Sequence, residues 1–110
     1  MNRWDAGLLG EWRAVRYLKR RGMRILKWRY RAGHNEIDLI ARDGDTLVFV
    51  EVKARPHGRL LDGARAVNQE KRGHLRQAAQ IYLSAHPADH VRFDVMEISA
   101  AGVRHIPNAF

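Results

Sequence analysis

Three charged side chains stand where a plain core strand would carry none. Asp38 interrupts the apolar run 37–41, and Glu51 and Lys53 punctuate the run that starts at Leu47. Side chains two apart on a strand share a face, so Glu51 and Lys53 project together. An Asp43–Gly44 turn signal separates the runs, and pairing across such a hairpin can set Asp38 beside them. Two carboxylates and an ammonium then gather on one sheet face, in the most hydrophobic stretch of the chain. Charges in such surroundings are costly unless they are paired or bind a metal. The chemistry that fits is phosphodiester hydrolysis assisted by a divalent cation. Carboxylates hold the ion, which polarises phosphate and lowers the pKa of its bound water.

Roles follow from the donor types. Mg²⁺ takes one or two carboxylates, with waters, phosphate oxygens and often a backbone carbonyl completing its octahedron; Mn²⁺ can substitute. Asp38 and Glu51 fit as direct ligands and the carbonyl of Val52 as a further one. Lys53 fits as the group that orients water or offsets charge in the transition state. Glu11 fits as the ligand of a second metal or of an outer-shell water.

These residues must be positioned by flanking elements. Residues 5–21 read as a helix stopped by Gly22, with Trp4, Leu8, Trp12, Val15 and Leu18 on one arc and Arg13, Arg16, Arg20 and Arg21 off it. Glu11 falls inside that apolar arc, where it needs a metal, a proton or an inward Arg or Lys. Residues 23–30 alternate as an edge strand whose Lys27, Arg29 and Arg31 can touch phosphates, and whose Trp28 and Tyr30 serve as core or as base-stacking rings. The run 55–63, beginning at Arg55, has no period and reads as a loop able to meet substrate.

A second helix is expected over 64–84, with Val67, Leu75, Ala78, Ala79 and Tyr82 as its buried stripe and Lys71 inside it. Lys71 is a candidate accessory group. Strands over 90–98 and 103–106 close the chain. Asp94 reads as a structural carboxylate and Glu36 as a surface one. The six histidines show no zinc spacing. The order helix, three strands, helix, strand, short strand defines an α/β fold: a meander, then a helical crossover to a further strand of a mixed sheet.

With 110 residues the chain is expected to be one domain, 1–110. It is 45% hydrophobic and 29% charged, and contains no cysteine, which excludes disulfides and thiolate metal sites. No apolar run approaches a membrane span, and there is no signal-peptide pattern, so the expectation is a cytoplasmic protein without membrane attachment. The net charge of +8 sits entirely in residues 1–34, where ten Lys/Arg face two acids; residues 35–110 balance at ten of each. Such asymmetry points to a polyanionic partner, nucleic acid before membrane.

The ordered set Glu11, Asp38, Glu51-Val52-Lys53 resembles the PD-(D/E)xK nuclease superfamily. More closely, the chain is similar to the YraN-like family of small bacterial predicted nucleases. The matching segments are Gly10-Glu11, Glu36-Ile37-Asp38-Leu39-Ile40-Ala41, Val48-Phe49-Val50-Glu51-Val52-Lys53-Ala54-Arg55, Arg92-Phe93-Asp94-Val95, and the ending His105-Ile106-Pro107-Asn108-Ala109-Phe110. Asn35 departs from the Gly usual there, and Asn tolerates the left-handed backbone such a turn needs. The resemblance implies a restriction-endonuclease-like αβββαβ core with a mixed central sheet flanked by helices, Mg²⁺ use, and nuclease activity, with structured or branched DNA as the expected substrate. The alternative is a nucleic-acid-binding module of nuclease fold with little catalysis in isolation. A homodimer is a further expectation, since two sites per particle suit two-strand cleavage.

Overall fold

The computed structural model describes residues 3–54 and 68–110, with side chains from residue 9 onward. Helix α1 (Arg3–Arg20) leads into strands β1 (Arg24–Ala32), β2 (Asn35–Asp43) and β3 (Thr46–Ala54), followed by α2 (Gln69–Ala85), β4 (His90–Ser99) and β5 (Gly102–Ile106). The five strands form one sheet in the order β1-β2-β3-β4-β5. Only β3 and β4 run parallel, and α2 lies in the connection between them. The α/β meander-and-crossover is therefore present. Arg55, the loop expected over 55–63, and the start of the second helix, with Val67, lie outside the described residues. So do the side chains of Trp4 and Leu8.

Local chemistry sets the element ends. Gly22 at φ 87° ends α1, with Met23 N–H donating to Leu18 O and Gly22 N–H to Lys19 O, the paired bonds of a left-handed helix stop. Asn68 starts α2 by accepting the Lys71 N–H at 2.9 Å. Gly33 and Gly44, both with positive φ, are the first residues of two-residue hairpin loops closed by Ala32–Asn35 and Asp43–Thr46. Asn35 is thus a paired strand residue, with Gly33 supplying the left-handed backbone. The departure from Gly at Asn35 costs the turn nothing, for a reason the sequence did not reveal.

Alternation along β3 separates two cores. Leu47 and Phe49 pack with Ile40, Val95 and the α2 residues Leu75, Ala78, Ala79 and Tyr82. Val48 and Val50 pack on the other side with Leu39, Ala41, Met96 and the α1 residues Ala14, Val15 and Leu18. The sheet is buried on both faces, each large apolar side chain contributing about 1.5–3 kcal/mol. One expectation fails here: Trp12 is 45% exposed and carries the Arg16 guanidinium 4.8 Å from its ring centroid. The buried arc of α1 is centred near Glu11 and Leu18, and Trp12 lies about 100° round the helix from Glu11.

At Gly10, α1 packs tightly against the end of β3. A Cβ built there would stand 2.7 Å from Ala54 Cβ. Gly10→Ala adds helix propensity of about 1 kcal/mol, but overpacking costs about 1–3 kcal/mol. The expected outcome is a net loss of stability in denaturant titration, recovered in part by adding Ala54→Gly.

Candidate functional site

The ladder between β2 and β3 runs from Asp43–Thr46 to Leu39–Val50 and stops. The next pair would be Asp38 and Glu51. Instead the Asp38 carboxylate accepts the Val52 N–H at 2.7 Å, taking a backbone donor that continued pairing would have used. The alternation of β2 breaks at the same place: Leu39 packs on the α1 side and Ile37, two residues away, on the α2 side. The two strands part here, and the carboxyl group of Asp38 occupies the fork.

Glu51 is 5% exposed. Its Oε1 has the ammonium of Lys53 at 3.6 Å and that of Lys71 at 3.7 Å, both beyond hydrogen-bond reach. Its Oε2 is buried and accepts nothing among the described residues. Lys53 reaches Glu51 because the two share a strand face, and Lys71 because the Asn68 cap fixes the first turn of α2 above that face. Val52 contributes its backbone N–H to the fork, through the bond to Asp38.

Burial and the neighbouring Glu51 carboxylate push the Asp38 carboxyl up to about 7, against the Val52 N–H bond. Glu11 adds to the rise and Lys71 opposes it. With the folded value raised, the native chain holds a proton that the unfolded chain releases between about pH 4 and 7. Asp38's contribution to metal-free stability is therefore expected to fall as pH rises through that window. Urea titrations in EDTA at pH 5 and pH 8 check this, and Asp38→Asn should remove that part of the slope.

Glu11 is buried as its position in the helix requires, and its partner is Arg29. The Arg29 Nε lies 3.2 and 3.1 Å from the two carboxylate oxygens and Nη2 lies 2.5 Å from Oε2. Arg29 has φ 59°, unusual for a residue with a side chain. It lies between Trp28 and Tyr30, whose partners Leu39 and Ile37 flank Asp38. The structure thus sets Glu11 close enough to raise Asp38, yet commits its oxygens to an arginine.

The other basic candidates spread outward. Arg13 donates to Ser99 O at 2.9 Å and, with Arg16, Tyr17, Arg20 and Val103, lines a groove of about 230 Å³. Lys27 is exposed, and Arg31 makes a solvent-exposed bond to Glu36 at 3.3 Å. Tyr30 belongs to the core, whereas Trp28 is 41% exposed. Asp94 is structural, as its sequence position suggests. It is fully buried and takes Arg92 Nε at 2.9 Å, Arg92 Nη2 at 3.0 Å, His105 Nε2 at 2.7 Å and the Asn108 N–H at 2.9 Å.

One carboxylate escaped the sequence reading. Glu97 is 0% exposed, and neither of its oxygens finds a hydrogen-bond partner among the described residues. In the parallel register it lies opposite Lys53, while Glu51 lies opposite Val95. The only local signal was an acid at a position of β4 that matches Val95 in alternation. Among the described residues, no three Asp, Glu or His side chains converge into a ready-made ion cage.

A five-stranded mixed sheet between two helices, with Asp38 and Glu51-Val52-Lys53 at a strand fork, is compatible with a restriction-endonuclease-like core. No helix among the described residues is long and apolar enough to cross a membrane. Residues 10–98 match the model of the uncharacterised protein family UPF0102. A UPF0102 protein of Alkaliphilus oremlandii is 41% identical over 94% of this chain and 96% of its own. Another, of Syntrophomonas wolfei, is 38% identical over the full length of both. The chain belongs to the UPF0102 (YraN) family.

Proposed function

We propose that the protein is a metal-dependent nuclease, an endonuclease acting on structured or branched DNA. The observation that carries this reading is the pairing of half-buried Asp38 with buried Glu51. Two carboxylates are crowded enough that one raises the other, and Glu51 Oε2 accepts no hydrogen bond among the described residues. A divalent cation would relieve both. The donor set suits Mg²⁺, with Mn²⁺ as a substitute: Asp38 and Glu51, the Val52 carbonyl, and Glu11 if Arg29 releases it.

When bound, such an ion polarises the phosphate and lowers the pKa of a coordinated water. The chain's own groups do the rest. The Val52 N–H fixes the orientation of Asp38. Lys53 and Lys71 bring two ammonium groups to the same carboxylate, where phosphate oxygens bearing transition-state charge can meet them. Arg29, Lys27, Arg31 and the Arg13–Arg16 groove supply backbone phosphate contacts, as does Arg55 in the expected loop.

A second reading, nucleic-acid binding with little turnover in isolation, draws on the commitment of Glu11 to Arg29. A panel of labelled duplex, flap, junction and RNA substrates, incubated with Mg²⁺ or Mn²⁺ and with Glu51→Ala as control, separates the two. Cleavage by wild type and not by Glu51→Ala supports the nuclease. Binding without cleavage of any member supports the second reading. Affinity should in either case fall steeply with salt. Arg16→Ala should reduce the logarithmic salt slope by about 0.9, the value for one duplex phosphate that is no longer neutralised.

A further inference from the structure

We infer that Glu97, with Glu51, forms a second divalent-cation site on the α2 side of the sheet. The inference rests on the reading of Glu51 as a metal ligand and adds a carboxylate from β4 to it. Among the described residues, three buried side-chain oxygens have no hydrogen-bond partner: Glu51 Oε2 and both oxygens of Glu97. They fall on the same side of adjacent parallel strands. Glu51 continues the Leu47–Phe49 face and Glu97 continues the Val95 face, and all three of those apolar residues pack in the α2 core. Register places Glu51 opposite Val95 and Lys53 opposite Glu97, so the two acids are diagonal neighbours. Strands about 4.8 Å apart and a two-residue step of about 6.6 Å put their Cα atoms roughly 8 Å apart. Two glutamate side chains can span that distance to a shared ion.

The energetics point the same way. A buried carboxylate with no donor is among the costliest arrangements in a fold, and water, a proton or a cation must offset it. Of its two register neighbours, Lys53 on β3 leans instead to Glu51 Oε1 at 3.6 Å, and Arg104 on β5 makes no hydrogen bond to either Glu97 oxygen. An ion seated at Glu97 and bridged to the first through Glu51 Oε2 would satisfy all three oxygens and leave the two ammonium groups on Glu51 Oε1.

The test titrates the full-length chain with Mn²⁺, counting free ion by electron paramagnetic resonance, alongside thermal melts in EDTA. Wild type should bind two Mn²⁺ and Glu97→Gln one, or the second at least about tenfold more weakly. In EDTA, Glu97→Gln should melt no lower than wild type, because it removes an unrelieved buried charge. Glu97→Asp should retain part of the second site. Unchanged Mn²⁺ stoichiometry and affinity in Glu97→Gln overturns this site while leaving the first reading standing. A metal-free Glu97→Gln protein that melts several degrees lower also overturns it, since Glu97 would then have a structural donor. Wild type binding no Mn²⁺ overturns both.

Discussion

Asp38→Asn should lower metal-supported cleavage by about 10³-fold or more while leaving the fold intact. Asparagine is nearly isosteric, and its carbonyl oxygen can still accept the Val52 N–H that Asp38 now takes at 2.7 Å. What it loses is the negative charge. A thousandfold loss corresponds to about 4 kcal/mol of transition-state stabilisation, the scale expected for losing an ion's ligand. The same change relieves the repulsion from Glu51 that raises the Asp38 carboxyl. Above pH 7 and without metal, the variant should therefore be at least as stable as wild type. Rate and stability moving in opposite directions mark a functional charge. Single-turnover cleavage and EDTA melts on one preparation read both, and a variant that cleaves at the wild-type rate would remove Asp38 from the site.

The second large effect is structural. Asp94→Asn should cost about 3–5 kcal/mol, the range for breaking a buried ion pair. Oδ1 takes Arg92 Nε and the Asn108 N–H; Oδ2 takes Arg92 Nη2 and His105 Nε2. An amide can be turned either way, and in both its NH₂ meets an Arg92 donor. Burial alone would raise the Asp94 carboxyl, but the bonds from His105, Arg92 and the Asn108 backbone outweigh it and hold the group below its ordinary range. A lowered carboxylate contributes stability above about pH 4 and loses it as pH falls through the folded value. Wild type should thus weaken in acid below the window in which Asp38 titrates, and Asp94→Asn should lack that step. The melting temperature should drop by about 10 °C or more. Amide exchange should accelerate first at residues 105–110, which Asp94 ties to β4 through His105 and Asn108.

Much of this was legible in the chain. Period-two alternation around Gly44 gave the β2–β3 hairpin, and the period near 3.6 gave the α2 stripe of Leu75, Ala78, Ala79 and Tyr82. The i, i+2 rule put Lys53 beside Glu51, since a strand fixes that relation locally. The Glu11 position announced a buried carboxylate in need of a partner.

What the residues could not announce were relations between distant segments. Arg29 as the partner of Glu11, Lys71 over Glu51, and the Asp94 cluster each depend on how helices and strands dock. The fork at Asp38 arises where a side chain replaces a ladder bond, an exchange that strict alternation conceals. The neighbours of Glu97 on β3 depend on a parallel register set across the α2 crossover, which alternation along β4 does not record. Backbone periodicity is a property of neighbours along the sequence, so faces were readable from it. Which charge meets which is decided by packing, because only burial makes one partner much better than another.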